Sequence, residues 1–429
     1  MLRRGPHKCP ATELRRLGVL NNYEGFMKDK GLFSSILKND TYGGKDAKWG
    51  LVLSGGGTRG AYEVGAWKAL QELRVPIRGI SGTSIGALNA AMFLCCELKQ
   101  IEDIYRGIRM TDVLPVGEKI DTEKNVFDPS NLMGIVREYF VRKGLDNGPL
   151  RNMLLKHLDV DKIYESPLDL GIVTFNIKTR VAYELFKEDI EPEKMIDYLL
   201  ASANFPIYKA QKVDGKQFMD GGLYDNMPFN PLIERGYTHL IVIDINGMGL
   251  TRRLENSDKV YLKMISCSEN LGGTFDFNHE RIEKNMKLGY LDTMKAFHKL
   301  FGSYYFFRRT AFNDLLLNFD MDTIWGLETA ARFYGLDRYR IYRADEFIDE
   351  LEWRYDEEDR KYMDSSYARV RRMDILNLRN KGRDGLMTAG LVHLFKETPS
   401  LRGVPSLKAF SDFADAANAI IALKNYRKL

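Results

Sequence analysis

Ser84 stands in Gly82-Thr83-Ser84-Ile85-Gly86, the G-x-S-x-G pattern of a serine held on a tight turn between a strand and a helix. Gly82 and Gly86 relieve crowding where side chains would otherwise collide, and the turn aims the hydroxyl at the start of the following helix. Unpaired N–H groups and the positive end of the helix dipole favour a developing anion there. Much further along the chain, Asp220-Gly221-Gly222 supplies a carboxylate. A carboxylate touching a serine hydroxyl in a partly dry pocket can take its proton, because desolvation raises carboxylate basicity. Upstream of both, Gly55-Gly56-Gly57-Thr58-Arg59-Gly60 follows an apolar run. Backbone N–H groups at Gly56 and Gly57, with no side chains in the way, can approach the oxyanion of a tetrahedral intermediate. The three fragments together describe acyl transfer through a covalent acyl-serine.

Each fragment alone has a plainer reading. The serine could merely cap a helix, and Asp-Gly is a common turn signature. The glycine run is also open to nucleotide readings. A phosphate-binding loop needs Lys and then Ser or Thr after its last glycine, whereas Ala61 and Tyr62 follow here. A dinucleotide fingerprint is matched literally by Gly55, Gly57 and Gly60, but it expects an acidic residue about twenty positions on. Residues 73–96 contain neither Asp nor Glu. An oxyanion loop built from Gly55, Gly56 and Gly57 remains, beside a flexible turn, with Arg59 orienting the loop or meeting a lipid phosphate. Asp225 is the rival to Asp220 as base. His7, His157, His239, His279, His298 and His393 show no triad-like or ligand spacing, and no His-Glu-x-x-His occurs. No catalytic metal and no cofactor are expected.

These groups need a rigid frame. Leu51–Leu53 reads as a buried strand, Ala61–Leu73 as a helix stopped before Pro76, Ile77–Ser81 as a second strand and Ile85–Leu98 as an apolar helix. Strand, helix, strand, helix implies a parallel sheet, to which Leu168–Phe175 and His239–Ile245 add strands. Beyond residue 280 strand signals fade, and Arg281–Phe307 and Thr323–Phe333 have helical periodicity. The expected class is therefore α/β, with a central, mostly parallel sheet and a mostly helical C-terminal appendage. The divisions expected are a partly helical N-terminal arm at 1–47, a catalytic domain at 48–300 and a helical region at 301–429. A charged, glycine-containing stretch between Thr111 and Asn147 has the character of a lid.

The composition, 429 residues with 44% hydrophobic and 28% charged, is that of an ordinary globular chain able to bury a core. A net charge of +4 gives no footprint for a nucleic-acid binder. Cys9, Cys95, Cys96 and Cys267 lack metal or redox spacing, as expected of reduced thiols. No signal-peptide pattern follows the basic N-terminus, and no window of about twenty apolar residues could span a bilayer. A cytoplasmic protein with at most peripheral membrane contact is expected. For such contact, Tyr304-Tyr305-Phe306-Phe307-Arg308-Arg309 sets aromatics beside cations, although such clusters commonly form core. Arg369, Arg371, Arg372, Arg379 and Arg383 offer charge to anionic lipid, or balance the acidic stretch from Asp345 to Asp359.

The glycine loop, the serine elbow and the Asp220-Gly221-Gly222 segment, in this order, resemble the patatin-like phospholipase family. The resemblance runs from about Trp49 to Asn246 and includes Ala201-Ser202-Ala203-Asn204-Phe205-Pro206. It implies a three-layer α/β/α domain and a lipid acyl hydrolase of phospholipase A or lysophospholipase type. Ser84 would be the nucleophile, Asp220 the general base, and Gly82, Gly86, Gly221 and Gly222 the motif's structural support. Its substrate would be a phospholipid or other acyl ester, and calcium is not implied. Acyl transfer to another alcohol and thioester hydrolysis would use the same residues. A lipid-binding protein without turnover would have no need to keep them together.

Overall fold

The computed structural model describes residues 48–115, 144–255, 260–267, 269–365, 384–403 and 410–428. The N-terminal arm with His7 and Cys9, most of the lid-like stretch and the basic run from Arg369 to Arg383 lie outside the described residues. The chain folds as two compact units, residues 1–290 and 291–429.

The first unit is built on β1 (Trp49–Leu53), β2 (Ile77–Thr83), β3 (Asp169–Asn176) and β4 (Val181–Phe186). The strands β5 (Gln211–Val213), β6 (Lys216–Asp220), β7 (His239–Asp244) and β8 (Tyr261–Ser266) complete an eight-stranded sheet. Its order is β5-β6-β3-β2-β1-β7-β8, with β4 also on β3. The pairs β1–β2, β1–β7, β2–β3 and β7–β8 are parallel, whereas β3–β4, β3–β6 and β5–β6 are antiparallel. The expected α/β class with a mostly parallel sheet is what the structure shows. β1 is buried along its whole length and β7 at its four central residues, as continuous apolar strands covered on both faces must be.

Helices α1 (Ala61–Glu72), α2 (Ile85–Cys95), α3 (Leu98–Gly107), α4 (Gly148–His157), α5 (Met195–Ser202) and α6 (His279–Ala296) flank the sheet. The sequence of α2 is apolar on every side, and Gly86 to Phe93 are all buried. A helix without a polar stripe belongs in an interior.

The pairing on β3 brings the chemistry together. β2 runs parallel to β3 and ends with Thr83 opposite Val173. β6 runs antiparallel to β3 and ends with Asp220 opposite Thr174. Because β4 occupies the other edge of β3 at residues 171–176, β2 and β6 approach end to end along one edge. Ser84 and Asp220 are therefore brought face to face from adjacent rungs of one strand.

In the second unit β9 (Phe306–Phe307) pairs in parallel with β10 (Ile341–Tyr342). Around them lie α7 (Arg309–Asn318), α8 (Met321–Phe333), α9 (Ala344–Asp364), α10 (Asp384–Glu397) and α11 (Ser411–Tyr426). The expected helix from Arg281 to Phe307 is corrected: α6 ends at Ala296 and the chain continues into β9. His298 at φ 57° and Gly302 at φ 107° lie outside helical geometry and turn the backbone there.

Tyr304, Tyr305, Phe306 and Phe307 are buried, so this aromatic run is core and not a surface for headgroups. The backbone N–H groups of Ser303, Tyr304 and Tyr305 converge on the fully buried Glu328 carboxylate at 2.6–2.9 Å. That accounts for an acid in an apolar helix, since a buried carboxylate must have its lone pairs satisfied. The acidic face of α9 is paired within this unit, with Lys424 on Glu352 and Asp356 and Lys361 on Glu357 and Glu358.

Candidate active site

Three loops at the C-terminal ends of parallel strands and of β6 meet over one cavity, the usual place for function in an open α/β sheet. The first is the elbow. Ser84 sits at φ 56°, ψ −126°, a region that L residues enter only under strain of about 1–3 kcal/mol. Such a turn closes only if its flanks lack side chains. A Cβ on Gly82 would overlap the Gly86 backbone, and one on Gly86 would overlap the Leu53 carbonyl. The strand expected to end at Ser81 continues to Thr83, so rigid structure reaches the residue before the serine.

The Ser84 Oγ–H donates to Asp220 Oδ2 at 2.7 Å. Asp220 Oδ1 accepts the Gly222 N–H at 2.8 Å. Asp220 is only 6% exposed, and burial pushes its carboxyl up to about 6 against the opposing pull of those hydrogen bonds. A carboxylate with its affinity for protons raised in this way is a better base than one in water. The rival, Asp225, is placed elsewhere. Its Oδ1 accepts backbone N–H groups from Met227 and Arg252, and its carbonyl accepts the Thr83 hydroxyl at 2.7 Å. Burial also pushes Asp225 up to about 6, yet its recorded partners brace the elbow from behind.

The glycine loop separates into bracing and open positions. Gly55 is held on both sides, its N–H donating to the Asn226 carbonyl at 3.1 Å and its carbonyl accepting Asn226 Nδ2 at 3.2 Å. Thr58 N–H is taken by the Thr274 carbonyl. Between them, the N–H groups of Gly56 and Gly57 are bonded to no group among the described residues. Gly57 is at φ 64°, and a Cβ there would overlap the Thr274 carbonyl, so glycine is required. Arg59 does not line the cavity. Its guanidinium donates to the Gly272 carbonyl at 2.8 Å and to the Asn246 carbonyl, which anchors the loop.

The segment from Ala201 to Pro206 acts as a shared jig. Ser202 Oγ accepts the Ser84 N–H at 3.0 Å while donating to the Val173 carbonyl. Two residues on, the Asn204 carbonyl accepts the Asp220 N–H at 2.9 Å. Ser202 and Asn226 are the site residues that motif reading missed. Ser202 lay inside a recognised segment without an assigned role, and Asn226 sits only six positions beyond Asp220 with no pattern to mark it. Each acts through backbone contacts that exist only after folding.

The cavity above these groups has a volume of about 320 Å³ and is lined by Ser84, Asp220, Gly55, Gly56 and Gly57, and otherwise mainly by apolar side chains such as Leu88, Leu150, Phe205 and Phe275. None of the described histidines lines it. Among the described residues no cluster of His, Cys, Asp and Glu could hold a metal ion, and no helix is long and apolar enough to cross a membrane.

The fold and site define an α/β protein with a serine elbow, a buried carboxylate and an open N–H pair converging on an apolar cavity. Residues 51–233 match the family model described as Patatin-like phospholipase, which supports the patatin-like phospholipase family for this region. It is 28% identical over 198 residues to patatin-like phospholipase domain-containing protein 7 of Rattus norvegicus, covering 46% of this chain and 13% of that protein. A shorter stretch of 44 residues is 59% identical to lysophospholipase nte1 of Aspergillus terreus, covering 10% of this chain and 3% of that protein. The chain thus matches only a small part of the length of these relatives. Among solved structures it aligns with VipD from Legionella pneumophila at 14% identity and a TM-score of 0.38, covering 88% of this chain and 90% of that one.

Proposed function

We propose that this chain is a lipid acyl hydrolase that cleaves carboxylic esters through an acyl-enzyme on Ser84. The observation that carries the proposal is the 2.7 Å Ser84–Asp220 hydrogen bond inside an apolar cavity. Asp220 Oδ2 takes the Ser84 hydroxyl proton as Oγ attacks the ester carbonyl. The tetrahedral oxyanion is met by the N–H groups of Gly56 and Gly57. On collapse the proton passes to the departing alcohol, and Ser84 is left acylated. Water then gives its proton to Asp220 and attacks the acyl carbon, releasing fatty acid and restoring the serine. The names of the relatives, phospholipase and lysophospholipase, support a lipid ester as substrate. The activity is assigned to residues 48–300, with the helical region outside the reaction.

The test is intact-protein mass after treatment with a fluorophosphonate bearing an alkyl chain. One adduct is expected on the wild type and none on Ser84→Ala, with circular dichroism showing both folded. A folded wild type that takes no adduct would favour lipid binding without turnover. Gly57→Ala tests the oxyanion assignment separately. The added Cβ displaces the loop, and kcat/KM should fall by about 10²-fold, the usual effect of losing one such donor. Unchanged turnover in that variant would place the oxyanion elsewhere.

A further inference from the structure

Exposed apolar side chains lie at the cavity on segments tied to the catalytic loop. Leu223, 43% exposed, and Met248, 65% exposed, both line the cavity, as does the exposed Pro206. Leu250, 64% exposed, lies two residues past Met248. Its N–H donates to the Gly222 carbonyl at 2.9 Å, and its carbonyl accepts the Asn226 N–H. These bonds fix residues 248–250 alongside Asp220-Gly221-Gly222, so the rim is a set surface. Apolar groups held in water at a rim continuous with an apolar cavity mark an interaction site.

The charges beside this rim indicate its partner. Arg252 is neutralised by Glu184 and Glu255. Arg253, exposed, is in no ion pair among the described residues, and neither is Lys209, exposed three residues beyond Pro206. Apolar side chains that enter an acyl layer, with cations at headgroup level, suit an anionic phospholipid surface. We propose that the rim formed by Pro206, Leu223, Met248 and Leu250 docks onto such a surface, with Arg253 and Lys209 against the phosphates. The proposal rests on the acyl hydrolase reading and adds to it how substrate arrives. An acyl chain passes from bilayer to cavity along the rim without crossing water.

Leu250 and Arg253 lie outside the cavity lining, and because the Leu250 bonds to Gly222 and Asn226 are made by its backbone, both side chains can be changed with those bonds kept. The probes are vesicles of phosphatidylcholine alone and vesicles of phosphatidylcholine with about one third phosphatidylserine, a strongly anionic surface. In co-sedimentation the wild type should bind the mixed vesicles more tightly. Leu250→Asp should weaken binding to both by about tenfold or more, from the loss of one inserted apolar side chain and the gain of a charge. Arg253→Glu should weaken binding to the mixed vesicles only. Hydrolysis of a water-soluble short-chain ester should stay within about twofold of wild type in both variants, as expected for surface changes away from the site. Wild type that fails to pellet with either vesicle, or variants that pellet as wild type does, overturns the docking surface. Wild type that pellets but leaves the soluble ester intact overturns the hydrolase reading, and the pelleting of the variants still decides the surface.

Discussion

Replacing Ser84 by alanine should reduce kcat/KM by at least about 10⁴-fold, because removing a nucleophile leaves only binding and oxyanion contributions. The more informative comparison is with Ser84→Gly. Both variants lack the hydroxyl, and both leave Asp220 with only the Gly222 N–H as its recorded hydrogen-bond donor. They differ in whether a Cβ is forced to φ 56°, ψ −126°. At an ordinary position glycine would be the less stable variant by about 0.5–1 kcal/mol, through the greater freedom of its unfolded chain. Here the strain relieved is about 1–3 kcal/mol, so Ser84→Gly should be the more stable of the two inactive proteins. Urea unfolding midpoints measure this directly. Alanine equal to or above glycine would mean that the elbow stores no strain.

Asp220→Asn should be inactive and yet more stable at neutral pH. A general base contributes about 10²–10⁴-fold to rate, and in the proposed mechanism the asparagine amide cannot take the serine proton. In the proposed mechanism the reactive form of the wild type is the ionised carboxylate. Log kcat/KM should therefore rise with unit slope at acid pH and level off above about 6, where burial has placed the Asp220 carboxyl.

The stability effect has the opposite sign to the usual salt-bridged carboxylate. The folded value of about 6 lies above the ordinary aspartate value of 3.8, so between these values the native state binds more protons than the unfolded chain. Stability is accordingly highest below that window and falls as pH rises through it, by about 3 kcal/mol from this group. Above it the loss is complete. Asparagine fits the same place without a charge, its Oδ1 accepting the Gly222 N–H and its Nδ2 facing Ser84. The variant should gain about 1–3 kcal/mol at pH 7, and the part of the pH slope due to Asp220 should vanish, leaving that of the other carboxyls that burial raises, Asp225, Glu63, Glu184 and Glu328. A variant less stable than wild type at pH 7, or one with the wild-type slope, would show that the buried charge is not the source.

What could be read from the chain was local. The apolar runs at Leu51–Leu53 and His239–Ile245 are short and rich in Leu, Val and Ile, the signature of strands buried on both faces. The glycines at 82 and 86 mark a turn too tight for side chains. The apolar helix expected at Ile85–Leu98 ends at Cys95, where Cys96 turns extended and a separate helix starts at Leu98, and two further boundaries lack a local signal. β2 runs on through Gly82 and Thr83, residues that look like turn formers, because pairing with β3 overrides their propensity. α6 stops at Ala296 although helical periodicity persists beyond it, because residues 304–307 are drawn into an aromatic core assembled from distant segments.

The candidate site divides in the same way. Which groups are present, a serine on an elbow, a carboxylate and a run of glycines, is legible along the chain, since their types and flanking residues carry that chemistry. The family resemblance points to Asp220, and the fold supplies the physical reason that this carboxylate and not Asp225 meets the serine. Asp220 and Asp225 are both buried acids raised to about 6, and the adjacent pairing of Thr83–Val173 and Thr174–Asp220 on β3 selects the first. The tertiary structure also decided which glycine N–H groups stay open, because Asn226 and Thr274, distant along the chain, occupy those of Gly55 and Thr58. Hydrogen-bond partners across a sheet follow from register, and register is set by the whole buried surface, so no short motif can contain it.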